Sequence, residues 1–190
     1  LIVAGCKVAV CDQIQDPREA KGVVDRDVTR VVTPGTLTEE SILDAKSNNF
    51  LAAIAPFGKH TGIAWVDLST GRFLVQEVEP GQLLDELGRI GAAECLIPDS
   101  QYGTEDSAIE PLRPVLSSHW TPRPDWAFDP TSGRKALHEH FGVASLEGFG
   151  CKGLKTGLGA AGAVLDYLQE TQRGSLANII AIMAEAGSVK

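Results

Sequence analysis

The segment Gly157-Leu-Gly-Ala-Ala-Gly162 has the G-x-G-x-x-G spacing of dinucleotide-binding loops. In such a loop the glycines let the backbone approach a pyrophosphate at a helix N-terminus. An acid about 20 residues further on holds a ribose hydroxyl. Glu185, 23 residues beyond Gly162, stands near that place. The chemistry would be that of a NAD-binding oxidoreductase resting on Gly157, Gly159, Gly162 and Glu185. The loop must follow a buried strand, and residues 149–156, Phe-Gly-Cys-Lys-Gly-Leu-Lys-Thr, do not read as one. The alternative is a helix whose small residues let another helix pack closely.

Other constellations are less complete. Gly148 and Gly153 have Walker A spacing, but Leu154 stands where a lysine must reach the phosphates. Asp67 ends a strand-like run, where a two-metal nuclease would place a ligand. Such chemistry needs several converging acids, and Phe50 to Ala55 offers none. Asp67 therefore reads as a turn acceptor. His119, His138 and His140 make no metal motif; on a helix His138 and His140 would point about 200° apart. Trp120 and Trp126 flank Thr-Pro-Arg-Pro, either as a peptide-binding patch or as cover for a sheet edge. The four cysteines form no C-x-x-C pair. They read as scattered, mostly buried thiols of an intracellular chain, with a Cys6–Cys11 disulfide left open.

Elements to position these residues follow from periodicity. Residues 7–11 and 27–33 read as strands, and Asp16 to Lys21 as one helical turn. Thr36 with Glu39 gives a capping-box start to a short helix ending near Ala45. Phe50 to Ala55, Gly62 to Leu68 and Arg72 to Val78 make an antiparallel meander. Leu83, Leu84, Leu87 and Ile90 line one face of a helix. Glu94 to Ile97 is a strand stopped by Pro98, a further strand lies around Val115 to Trp120, and Ser132 to Phe141 is a helix. Gly148 to Gly153 reads as a linker. A long helix runs from there to about Gln172, followed by a second apolar stretch at Ile179 to Met183. The order implies a mixed α/β fold with boundaries near 47 and 152.

The chain has 190 residues, 43% hydrophobic and 22% charged, with 17 basic and 25 acidic side chains for a net charge of -8. This composition excludes disorder and collagen and allows one or two domains. No apolar run approaches the ~18 residues of a membrane span, and Leu1 to Val10 lacks the features of a signal peptide. Residues 48–150 hold 7 basic and 14 acidic side chains, net -7. Phosphate backbones are bound largely through Lys and Arg, so this acidic middle suits a protein partner or a scaffold better than nucleic acid.

Lys7-Val-Ala-Val-Cys-Asp-Gln-Ile14, Asp16-Pro17, Lys21-Gly22 and Thr29-Arg-Val-Val-Thr-Pro-Gly-Thr36 resemble the MutS family of bacterial DNA mismatch repair proteins. So do Trp65-Val-Asp-Leu-Ser-Thr-Gly-Arg-Phe73, Trp126-Ala-Phe128, Phe141-Gly142, Gly148-Phe-Gly150 and Gly157 to Arg173. The resemblance implies three pieces. Residues 1–47 would be the C-terminal part of a mismatch-recognition domain, and 48–152 a ribonuclease H-like connector domain. Residues 153–190 would open an α-helical core domain.

The family's mismatch-reading F-x-E motif and its ATPase match no position here. The resemblance thus implies a fragment without catalysis or cofactor, from a parent that binds ATP and Mg. The parent would recognise mispaired double-stranded DNA, form a homodimer, dock MutL and be cytoplasmic and nucleoid-associated, without membrane contact. Lys135, Ala136 and His138, exposed if Leu137 and Phe141 face the core, are the expected MutL contacts. Lys7, Arg26 and Arg30 are the expected DNA contacts.

Overall fold

The computed structural model describes residues 2–14, 24–38, 49–174 and 176–185. Asp16-Pro17, Lys21-Gly22, Glu39, most of the helix expected up to Ala45 and the boundary near 47 lie outside them.

Within the described residues a six-stranded sheet organises the chain. Strands β3 (Phe50–Phe57), β4 (His60–Asp67) and β5 (Arg72–Val78) form the expected meander. Strands β6 (Glu94–Pro98) and β7 (His119–Arg123) add in parallel on the β3 side. A three-residue strand, β8 (Ile182–Ala184), pairs in parallel with β5 at the other edge. The order is β7-β6-β3-β4-β5-β8. A separate two-stranded antiparallel sheet joins β1 (Val8–Gln13) to β2 (Arg26–Val32), with an irregularity at Val10/Cys11.

Alternation along the central strands sorts the core into two layers, because successive strand side chains face opposite sides. Ala52 and Ile54 meet helix α1 (Leu83–Ile90) through Leu83, Leu87 and Ile90 on one face. Leu51, Ala53 and Ala55 face helix α3 (Thr156–Gln172) on the other. Helix α2 (Pro130–Phe141) packs on α3 from outside. Each helix end has a local cause. Asp129 caps α2 by accepting from the Ser132 N–H, and Gly91 and Gly142 end α1 and α2 in the left-handed region that glycine favours. Arg173 ends α3 at φ 44° without being glycine, and its Nη1 donates to Val28 O of β2 at 3.1 Å.

Several sequence expectations differ from the structure, among them the strand expected around Val115 to Trp120, which lies at His119–Arg123. Helix α3, expected to open a separate core domain, packs on the sheet: 13 of its 17 residues are buried, and it lies against β3, β4 and β5. An α-helix buried almost all round cannot begin an independent unit without leaving that surface bare. The apolar stretch after it supplies β8 rather than a further helix. The glycine-rich segment 148–153 is folded down, with Cys151 buried and the Phe149 ring 5.3 Å from that of Phe141. Finally, Cys6 and Cys11 are exposed and unlinked, so only half of the thiols are buried.

Candidate functional site

The glycines of the G-x-G-x-x-G run lie within α3, and their faces are filled by protein. A Cβ at Gly159 would fall 2.2 Å from Phe128 O, and one at Gly162 would fall 2.4 Å from Gly133 Cα. A Cβ at Gly157 would meet Val75 Cγ2 at 2.9 Å. Gly159 and Gly162 are small because backbone crosses backbone, Gly157 because the Val75 side chain lies against it, and the surfaces a pyrophosphate would need are occupied. The α3 N-terminus already has an anion: Glu77 Oε1 accepts from the Lys155 N–H (2.6 Å) and the Gly157 N–H (2.9 Å). A carboxylate is stabilised there by free N–H groups and the helix dipole. Glu185 pairs with Arg89 instead, at 2.6 Å. Asp67 Oδ1 accepts from Ser69 N (2.9 Å) and Ser69 Oγ (2.5 Å), which makes it a turn residue as expected.

The densest polar cluster centres on Glu94, a fully buried carboxylate at the start of β6. Its Oε2 accepts from Thr33 Oγ1 (2.6 Å) and Gly35 N (3.0 Å). Its Oε1 accepts from Thr121 Oγ1 of β7 and Tyr167 Oη of α3, each at 2.7 Å. Four donors converge on an acceptor-only group, the arrangement that makes a buried carboxylate tolerable. The Tyr167 ring carries Lys7 Nζ 5.2 Å and the Arg123 guanidinium 5.3 Å from its centroid. Burial, and then the Glu94 carboxylate, push the Tyr167 phenol well above its ordinary range. Burial opposes the charge on Arg123, but hydrogen bonds to Glu170 and Asp166 raise its pKa on balance.

Sequence reasoning did not single out this cluster. Its one trace was a charged residue opening an otherwise apolar buried strand. The partners lie 61 residues before and 73 residues after Glu94, beyond the reach of any local pattern.

The three residues expected to form a partner face on α2 differ in exposure. Lys135 is exposed, with Glu139 3.8 Å away. Ala136 is half-buried and, with Trp126, Ser132 and Asp166, lines a hollow of about 100 Å³. His138 departs from expectation: it is half-buried, and its Nε2 is enclosed without a hydrogen-bond partner. The reason is angular: His138 lies about 100° round the helix from buried Leu137 and one turn from half-buried Phe141, at the border of the packed face. His140, two residues on, gives Nε2 to the Ile179 carbonyl at 2.9 Å. The two tryptophans separate: Trp120 is buried on edge strand β7, whereas Trp126 is 65% exposed beside Ala136.

Of the expected DNA contacts, Arg26 is exposed on β2 and Arg30 is half-buried on the same strand. Lys7, also exposed, lies over Tyr167.

Residues 1–41 match the family described as MutS domain I, and residues 49–180 match MutS domain II. A curated relative from Symbiobacterium thermophilum, named DNA mismatch repair protein MutS, is 44% identical over 185 residues. Another of the same name, from Rhodopirellula baltica, is 43% identical over 197 residues. The matches cover 94% and 93% of this chain but 21% of each relative, so the chain spans about a fifth of their length.

Proposed function

Because the chain belongs to the MutS family of DNA mismatch repair proteins, we propose that it is a non-catalytic relay and docking module. It would join the segment that helps read mispaired DNA to the rest of the repair protein, and present α2 to MutL. The sheet then corresponds to a ribonuclease H-like connector. That correspondence is supported by a three-strand antiparallel meander extended beside its first strand by two parallel ones. Mismatch binding, dimer formation and ATP hydrolysis with Mg would belong to the full-length protein, acting in the cytoplasm at the nucleoid. No helix among the described residues is long and apolar enough to cross a membrane.

The observation that carries the docking reading is Trp126, a large aromatic left 65% exposed beside the Ala136 hollow, with Lys135 on the neighbouring turn. Exposed aromatics flanked by charge are typical anchors of protein interfaces. The face is therefore Trp126, Lys135 and Ala136, with His138 half-buried on the same helix. DNA contact through Lys7, Arg26 and Arg30 is a secondary expectation. It is favoured for Arg26 by exposure, and constrained for Lys7 by its place over Tyr167.

The test is MutL binding by the full-length protein carrying Lys135→Glu or Trp126→Ala. Removing an anchor should weaken binding at least ~5-fold, the equivalent of about 1 kcal/mol. Affinity for mismatched duplex should stay unchanged. Unaltered MutL affinity in both variants would refute the docking face.

A further inference from the structure

We propose that Glu94 is a positioning residue that fixes the first segment, through its 33–36 turn, against the sheet and α3, and thereby sets how well mismatched DNA is distinguished from matched. This rests on the relay reading above and adds the residue through which the relay acts. The two carboxylate oxygens divide their work. Oε2 serves only the first segment, through Thr33 Oγ1 and Gly35 N. Oε1 serves only the body, through Thr121 Oγ1 and Tyr167 Oη.

The turn is shaped in advance for this contact. Thr33 N donates to Thr36 Oγ1 at 2.9 Å, and Asn49 Nδ2 donates to Pro34 O (2.8 Å) and Leu37 O (3.1 Å). Gly35 seats against the sheet so closely that a Cβ there would lie 2.8 Å from Glu94 Cβ and 3.0 Å from Leu51 Cβ. Lys7, on the same segment, adds a contact over the Tyr167 ring.

The arrangement makes docking close to all-or-none. Any displacement of the turn strips Oε2 of both donors, and a buried carboxylate left half-satisfied is costly. The Oε1 donors, Thr121 and Tyr167, both belong to the body, and Tyr167 also meets the Thr33 side chain and Lys7 of the segment. A segment held in this way moves as one piece or not at all, and a relay needs that property.

The experiment uses the full-length protein with three substitutions. Thr33→Val removes one donor on the segment side while keeping the side-chain shape. Thr121→Val does the same on the body side, and Glu94→Gln weakens both. Amide hydrogen exchange is read on peptides covering 24–38 and 50–78, together with the ratio of affinities for mismatched and matched duplex.

Thr33→Val should speed exchange in 24–38 by about ten-fold, the loss of one hydrogen bond to a charged group. It should leave 50–78 unchanged and lower the affinity ratio. Thr121→Val should leave the ratio at the wild-type value, and Glu94→Gln should lower it. Equal effects of the two valine variants on the ratio, or an unchanged ratio in Thr33→Val and Glu94→Gln, would overturn the proposal. The relay reading fails separately: a wild-type protein with no preference for mismatched duplex would sink it before any variant is compared.

Discussion

Gly133 and Gly162 meet backbone to backbone where α2 crosses α3, and a Cβ on Gly162 would lie 2.4 Å from the Gly133 Cα. From the other side, a Cβ on Gly133 would lie 2.2 Å from Leu158 O. Neither neighbour is a flexible side chain that could swing away. Gly162→Ala and Gly133→Ala should each destabilise by about 1–3 kcal/mol through overpacking. Gly148→Ala, where nothing lies within 4 Å, should stay within about 0.5 kcal/mol of wild type, as an open surface site does. Urea denaturation midpoints check the contrast.

Glu77 caps α3 from a different part of the chain. Replacing it with alanine leaves the Lys155 and Gly157 N–H groups without their acceptor. The expected loss is about 1 kcal/mol, typical of a removed N-cap. Amide exchange at Lys155 and Gly157 should accelerate, while exchange at the C-terminal end of α3 should not.

Asp129 gives a pH prediction. The backbone N–H of Ser132, with smaller help from the Ser132 side chain and Thr131, holds its carboxyl below the ordinary 3.8. A depressed folded-state value means that its contribution is complete above about the unfolded pKa and is lost as pH falls through the folded one. Acid titration below 3.8 should therefore loosen the first turn of α2, seen as a shift of the Ser132 amide resonance. Asp129→Asn keeps a capping oxygen but does not titrate, so its first turn should lack that pH dependence.

Thiol chemistry should divide the cysteines in two. Cys6 and Cys11 are exposed and free, and an aromatic disulfide reagent should modify both quickly in the native protein. Burial pushes the Cys95 thiol up to about 12 and raises that of Cys151. These two should react only after denaturant is added. Fast native modification of three or four thiols would contradict the burial described.

Much of the sheet was legible in the sequence because its strands are continuous apolar runs ended by the 69–71 turn and Pro98, although β3 runs on through Pro56 to Phe57. The helices α1 and α2 showed their apolar spacing in the same way. The fate of α3 was not legible. Glycine and alanine at Gly157, Gly159, Ala160 and Gly162 say that something approaches closely, without saying that both α2 and the sheet do so. The exposure of Lys135 was legible from periodicity, but the partial burial of His138 was not. Trp126 and Trp120, six residues apart, looked alike in the sequence. One lies on a strand and the other on the turn before α2, and only the fold separates them. Glu94 was invisible as a hub, since every donor to it except Thr121 of the neighbouring strand comes from a distant part of the chain.

The short strand β8 sets a constraint on synthesis. Phe73 of β5 pairs with Ile182, over a hundred residues later in the chain. Until that stretch has left the ribosome, β5 is an unpaired edge with its N–H and C=O groups available to any passing strand. Closing so long a loop is entropically late. The growing chain would therefore pass through an interval in which a nearly finished sheet can still recruit the wrong partner, and three residues at its far end bring that interval to a close.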